Sequence, residues 1–102
     1  MSLEQHYSGD KAWMEFVAIH KGQPMSGKAF NPSDFVNLPE VPSQMEGVLE
    51  VAVSYFGSDR VKDWLDQKIP ALGDMTPRAC IFGNSSNELK NRIREYLMRL
   101  PT

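Results

Sequence analysis

Residues 61–77, which read VKDWLDQKIPALGDMTP, decide how this chain folds. The stretch reads as a helix that ends, a short apolar loop and a second helix that begins. Thr76 is placed to accept hydrogen bonds from the first turn of that second helix, and Pro77 fits the first helical position, where its missing N–H costs nothing. Leu72 makes the loop apolar, so we expect the loop to pack inward. Gly73 permits the tight reversal between the two helices.

These signals resemble, in their order, the toxin-binding domain of the bacterial Xre/MbcA/ParS antitoxin family: Trp64-Leu65, then Pro70-Ala71-Leu72-Gly73, then Thr76-Pro77, then an amphipathic helix. The likeness covers residues 48–102. It implies an all-α domain that binds a cognate toxin, commonly of the RES type that consumes NAD, and that covers the toxin's active-site entrance with its C-terminal part. The family usually has a second glycine where this chain has Asp74.

Composition indicates one globular domain of modest size. The chain has 102 residues, of which 41% are hydrophobic and 24% charged, so it has enough apolar residues for a single core. No apolar run approaches the roughly 20 residues needed to span a bilayer. The N-terminus lacks the pattern of a secretory signal, so we expect a cytoplasmic protein. Cys80 is the only cysteine, which excludes an intramolecular disulfide, and its apolar neighbours predict a buried filler residue.

The formal charge of -2 is unevenly distributed. Residues 1–75 hold six Lys/Arg and eleven Asp/Glu, whereas residues 76–102 hold five Lys/Arg and two Asp/Glu. A basic end on an acidic body steers and orients an oppositely charged partner. The competing interpretation is an ordinary solvated helix face.

The N-terminal part, residues 1–42, predicts one helix followed by a Pro-rich segment that packs on the core. The first nine residues are polar and expected to fray. Asp10 then reads as the N-cap of a helix over residues 11–21 that ends at Gly22. Four residues share its inner face: Trp13, Phe16, Val17 and His20. His20 is expected to be structural, because no ligand-type residues stand at metal-binding spacing near it.

The Pro-rich segment, residues 22–42, predicts a linker rather than a second long helix, since Pro39 and Pro42 interrupt any helical run. We expect it to lie on the core by its phenylalanine and leucine side chains. One helix followed by such a linker does not provide a helix-turn-helix, and the basic residues are few. The sequence therefore does not predict DNA recognition by this part of the chain.

Residues 43–102 are predicted to form the antitoxin-like helical domain. Ser43 and Glu46 have capping-box spacing and open a helix over residues 43–57. Its β-branched residues also permit a strand, but the cap, the stop at Gly57 and the length favour a helix. The helix is apolar around most of its circumference, which predicts a position that is central in the fold or shared with a partner chain. For the same reason we expect self-association as a two-fold dimer.

A third helix is expected over residues 60–67, capped by Ser58 or Asp59. Its inner stripe contains Val61, Trp64, Leu65 and Lys68. Asp63 and Asp66 have the spacing of an acid–base pair, but no histidine, nucleophile or Gly-rich loop accompanies them. They are therefore predicted to lie on a solvated face.

The last helix is the cleanest amphipathic segment. A short helix runs from Pro77 to Phe82, Gly83-Asn84 ends it, and Ser85 or Ser86 caps the final one. The inner stripe of the final helix is predicted to be Leu89, Ile93, Tyr96, Leu97 and Leu100. Its basic residues are expected to point elsewhere, into solvent: Lys90, Arg92, Arg94 and Arg99.

Together these patterns predict an all-α bundle of four to five helices, with a Pro-rich linker between the first helix and the core, that binds a protein. No enzyme motif is present, and no cofactor or metal is expected. The predicted contact residues are Arg92, Arg94, Met98, Arg99, Leu100, Pro101 and Thr102. The predicted scaffold is Trp64, Leu65, Leu72, Gly73, Thr76, Pro77, Ile93 and Leu97.

The expected partner is a cognate toxin. The sequence supports two alternative functions less well. One alternative is a DNA-binding regulator of a small operon that uses the basic last helix, although four cations without interleaved aromatic residues give a thin footprint for phosphates. The other is a non-catalytic adaptor domain that has kept the fold and lost the toxin.

Overall fold

The computed structural model describes residues 7–23, 30–35, 38–82 and 86–100. The α-helices in these residues are α1 (Asp10–Gly22), α2 (Val48–Phe56), α3 (Ser58–Trp64), α4 (Pro77–Ile81) and α5 (Asn87–Met98). Short 3₁₀ turns occupy Pro32–Phe35, Ser43–Met45 and Pro70–Leu72. Across these ranges no strand forms, and the predicted all-α class is confirmed. None of the described helices combines the length and apolar character needed to cross a membrane.

The first helix, α1, turns a single apolar stripe inward. Trp13, Val17 and His20 are buried, as the spacing predicts. The prediction that Asp10 is the N-cap is wrong: the cap position is Gly9, and Asp10 is the first helical residue. The Asp10 carboxylate does not cap the helix, because it instead accepts hydrogen bonds from the Tyr7 hydroxyl at 2.8 Å and from Arg94 at 3.1 Å.

The long helix predicted over residues 43–57 is split in two. A 3₁₀ turn, Ser43–Met45, comes first, and α2 begins only at Val48. The predicted capping box does not form, since no side chain caps the turn and Glu46 is exposed. The break is at Gly47, whose φ of 89° is left-handed. A left-handed residue ends any continuous right-handed helix.

The α2 helix is the centre of the core. Six of its nine residues are buried: Val48, Leu49, Val51, Ala52, Val53 and Ser54. The five apolar residues among them belong to one hydrophobic cluster with residues of α1, α3, α4 and α5. The apolar circumference that predicted a dimer is therefore covered within a single chain.

The third helix, α3, is shorter than predicted and is displaced toward the N-terminus. It begins at Ser58 after Gly57, and neither Ser58 nor Asp59 provides a side-chain cap. Val61, Trp64 and Leu65 are buried, but Lys68 is exposed, which contradicts its place in the inner stripe. Because the helix ends at Trp64, helical spacing no longer determines where Lys68 points.

The corner between α3 and α4 folds as the sequence predicts. Leu72 is fully buried, and Gly73 has a left-handed φ of 69°. The Thr76 hydroxyl accepts a hydrogen bond from the Ala79 amide at 3.2 Å. The Arg78 amide in the first turn of α4 donates to the Leu65 carbonyl at 3.0 Å, which ties the start of α4 to the end of α3.

The described part of the Pro-rich segment lies on the core by its aromatic side chains, as predicted. Phe35 is buried and its ring stacks on that of Phe30, with centroids 5.5 Å apart. The Lys62 ammonium is 5.9 Å from the centroid of the Phe35 ring, within cation–π range. Residues 24–29, 36 and 37 lie outside the described ranges.

Candidate functional site

The last helix, α5, holds most of the predicted contact residues. The Ser86 hydroxyl caps it by accepting a hydrogen bond from the Leu89 amide at 3.2 Å. Ile93 and Leu97 are fully buried, so α5 is fixed to the core along the predicted stripe. The alternative cap, Ser85, lies outside the described residues. The rotation of α5 about its axis follows from this stripe and determines which of its polar residues reach solvent.

Arg94 is buried, with 7% of the residue exposed, so the prediction that it points into solvent is wrong. Its Nη1 donates to the Asp10 carboxylate and to the Gln44 carbonyl, each at 3.1 Å. Its Nε donates to the Lys90 carbonyl at 3.3 Å, and its Nη2 donates to the Asn91 side chain. Arg94 therefore joins α5 to the start of α1 and to the turn before α2.

Two further cations on α5 are also largely withdrawn from solvent. Lys90 is buried. The Arg92 side chain is 17% exposed, and its Nη2 donates to Glu88 at 3.1 Å. Its Nη1 lies against the corner, 2.8 Å from where a Cβ on Gly73 would stand. Arg92, a predicted contact residue, thus lies against Gly73 of the predicted scaffold and pairs with Glu88, so its charge is engaged within the chain.

Only Arg99, among the four predicted cations of α5, has a side chain about half exposed, at 52%. Its Nε donates to the Glu95 carboxylate at 2.7 Å. Met98 and Leu100, on either side, are half-buried against the core. We call Met98, Arg99 and Leu100 the α5 end patch. The other predicted contact residues, Pro101 and Thr102, lie outside the described residues.

The segment before α1 lies along α5, although the sequence predicted that the first nine residues fray. The Ser8 amide donates to the Glu95 carboxylate at 2.9 Å. The Tyr7 ring covers the Arg94 guanidinium, with its centroid 4.6 Å away. Burial raises the pKa of the Tyr7 hydroxyl, which keeps it protonated as a donor to Asp10. The sequence shows the basic residues of α5, but no local sequence pattern identifies residues 7–10 as their contacts.

Glu95 is a buried carboxylate, 3% exposed, that stays ionised. Burial alone raises its pKa, but the hydrogen bonds from Arg99 and from the Ser8 amide and hydroxyl outweigh burial, so its pKa lies below the ordinary value. This carboxylate holds two different parts of the chain, the segment at Ser8 and the side chain of Arg99, against the same turn of α5.

A cleft of about 500 Å³ opens where the starts of α1 and α5 meet the turn before α2. Arg94 and Trp13 contribute to its wall, and Met14, which is 49% exposed, stands at its edge. Its remaining polar groups are three amides, two hydroxyls and two carboxylates, and neither histidine nor cysteine lines it. The lining is suited to hydrogen bonding and contains no activated nucleophile.

The buried nucleophilic and basic groups lie in the core instead. His20 Nδ1 is 2.6 Å from the Ser54 hydroxyl, and the two residues are 5% and 1% exposed. Burial lowers the pKa of His20, which therefore favours its neutral form. Burial likewise raises the pKa of the Cys80 thiol, which is fully covered, as its predicted role as core filler requires. The His20, Ser54 and Cys80 side chains are therefore shielded from solvent.

Metal ligation has no basis in the part of the chain that the structure describes, where no three His, Cys, Asp or Glu side chains converge. Comparison of the chain with family models, curated proteins and solved structures found no match.

Proposed function

We propose that this protein is an antitoxin-like protein-binding module that neutralises a cognate toxin of the RES, NAD-consuming type by covering its active-site entrance. The proposal is supported by the corner on which the resemblance depends. Trp64, Leu65 and Leu72 are buried together in the core, and Thr76 caps α4. The motifs that suggested the family thus act as one structural unit.

The observation that carries the proposal is the backbone at residues 73 and 74. Both residues are left-handed, with φ of 69° at Gly73 and 62° at Asp74. Glycine is the residue that this backbone favours, and aspartate is among the few others that tolerate it. The Gly-Gly pair usual in the antitoxin family fits the same two positions. Asp74 therefore has a backbone conformation that a glycine at this position also adopts readily.

The contact surface that we propose is narrower than a whole basic helix face. It consists of the α5 end patch together with Pro101 and Thr102. Arg94 acts in the proposal by holding α5 against the start of α1 and the turn before α2, whereas Arg92 pairs with Glu88 on α5 itself. Since Lys90 and Arg94 are buried, fewer cations remain for phosphate contacts, and the DNA-binding alternative loses support.

A two-fold dimer stays a prediction, and so does a cytoplasmic location, which is where an antitoxin of this type would act. The α2 surface that motivated the dimer is buried within one chain. Sedimentation velocity of the purified protein measures the oligomeric state directly.

The test is co-expression with the toxin-sized product of the neighbouring open reading frame. We expect growth to be restored and the two proteins to co-purify. Arg99→Gln, which keeps a donor for Glu95, is expected to weaken the complex by about tenfold, as loss of an arginine anchor does. Arg60→Gln is the matched control, because Arg60 is exposed on α3 and no described ion pair includes it. Unrestored growth, or equal affinities for the two variants, contradicts the proposal.

A further inference from the structure

A second surface depression adjoins the first cleft, with which it shares Ser43 and Glu46, and is lined by residues around the start of α2. It has a volume of about 350 Å³. Its apolar lining includes Phe30, Val41 and Leu49. Its carboxylates are Glu40, Glu46 and Glu50. We call these six residues the acidic groove.

The acidic groove is held in place by the core beneath it. Leu49 is 5% exposed and belongs to α2, and Phe30 is stacked on the buried Phe35. The main chain at Glu46 is fixed because its carbonyl accepts a hydrogen bond from Trp13 Nε1 at 3.1 Å. The shape of the groove is therefore preformed, which reduces the entropy lost when a ligand binds.

Within the part of the chain that the structure describes, no salt bridge compensates the charge of the acidic groove. No lysine, arginine or histidine is among its lining residues. The ion pairs in the described ranges use other carboxylates, those of Asp10, Asp66, Glu88 and Glu95. Among the described residues, no ion pair therefore involves the three carboxylates that surround the apolar floor.

We propose that the acidic groove binds a basic amphipathic peptide segment of a partner protein. An apolar side chain of the segment fills the floor at Val41 and Leu49, and flanking arginine or lysine residues pair with the three glutamates. Arginine suits this place, because its aliphatic stem covers apolar surface while its guanidinium forms paired hydrogen bonds with a carboxylate. The volume is at the low end of ligand pockets and accommodates one or two side chains rather than a cofactor.

Charge selects the class of partner. Nucleic acid is repelled, since its phosphates have the same sign as the glutamates. A basic protein segment is attracted, and the attraction accelerates association at low salt. The acidic groove shares no residue with the α5 end patch, so this binding does not depend on the proposed antitoxin function.

The test begins with short random peptides displayed on phage and selected on the full-length protein. We expect the enriched peptides to combine arginine or lysine with a leucine or an aromatic residue. The best peptide is then titrated by fluorescence polarisation and by ¹H–¹⁵N correlation spectra, in which the amides of residues 40–50 are expected to shift. Affinity is expected to fall as the salt concentration rises.

Matched variants separate the acidic groove from general negative charge. Glu46→Gln with Glu50→Gln is expected to weaken peptide binding by about tenfold. Asp59→Asn with Asp63→Asn changes the net charge equally, on exposed residues of α3 with the same spacing, and is expected to leave affinity within about twofold. Thermal melting of each variant verifies that it is folded.

Any one of five results overturns the proposal. The first three are enriched peptides that lack basic residues, equal peptide affinity of the two double variants, and shifted amides that lie outside the groove. The fourth is full competition by spermine at matched charge, which indicates counterion binding without an apolar contact. If the groove instead receives a second copy of this chain, sedimentation velocity shows a dimer that Glu46→Gln with Glu50→Gln dissociates, and the assignment to a different protein is wrong.

Discussion

Replacement of Gly47 by alanine tests why the helix predicted over residues 43–57 is split. A Cβ built on Gly47 would lie 2.6 Å from Cγ2 of Val17 and closer still to its Cγ1. Val17 is 2% exposed and lies on the inner face of α1, so it has no free space to move into. The backbone at Gly47 is also left-handed, which disfavours any residue with a Cβ.

Two costs add in this variant. A left-handed backbone costs a residue other than glycine about 1–2 kcal/mol. Forcing an extra carbon into a packed core costs a further 1–3 kcal/mol or so. We therefore expect Gly47→Ala to lower the free energy of unfolding by about 2–5 kcal/mol, a large part of the roughly 5–15 kcal/mol typical of a small domain.

Gly73→Ala is the matched control. Gly73 is also left-handed, but the atom that its Cβ would meet is Arg92 Nη1, at the far end of a flexible side chain. We expect a loss of about 1–2 kcal/mol, close to the backbone cost alone. Adding Val17→Ala to Gly47→Ala removes both crowding methyl groups, so the double variant should lose less stability than the sum of the single variants.

Denaturant titrations followed by tryptophan fluorescence measure the free energy of unfolding of the unsubstituted protein and of four variants. The variants are Gly47→Ala, Gly73→Ala, Val17→Ala and the double variant. If Gly47→Ala and Gly73→Ala lose equal stability, or if the effects of Val17→Ala and Gly47→Ala simply add, close packing of α1 against residue 47 does not explain the break.

Two further predictions concern buried polar groups. Trp13 Nε1 donates to the Glu46 carbonyl at 3.1 Å, whereas Trp64 Nε1 is buried without a partner among the described residues. Trp13→Phe should therefore destabilise the protein by about 1 kcal/mol more than Trp64→Phe in denaturant titrations, and the reverse order contradicts this reasoning. Because burial lowers the pKa of His20 from 6.5, the unfolded chain takes up this proton first, so the free energy of unfolding should fall as the pH drops through 6.5 toward the folded-state pKa. His20→Gln should flatten that part of the pH profile, and an unchanged slope in the variant rules out His20 as its cause.

Local signals predicted the corner between α3 and α4 correctly because each acts over a few residues. The hydroxyl of Thr76 and the ring of Pro77 favour a helix start through contacts within the adjacent turn. Gly73 permits the reversal through its own backbone, and Leu72 needs only an apolar surface to cover it. These features depend little on distant parts of the chain, and the structure contains all of them.

Long-range contacts explain the incorrect predictions near α1 and α2. Asp10 has the chemistry of an N-cap, but its carboxylate is held by Arg94, which is 84 residues away in the sequence. Ser43 and Glu46 have the spacing of a capping box, yet the close approach of Val17 to residue 47 favours a glycine turn there. Neither partner is visible to an argument based on neighbouring residues.

The same limit governs the candidate site on α5. Helical spacing places Ile93 and Leu97 inward and every basic residue on another face, but it does not say what covers that other face. Residues 7–10 cover part of it, and they meet Arg94 with a carboxylate and an aromatic ring that suit a guanidinium. A cation paired in this way contributes little binding free energy, since a partner must replace contacts that are already satisfied. The part of α5 that is available for the proposed binding is therefore its C-terminal end, where Arg99 still reaches solvent.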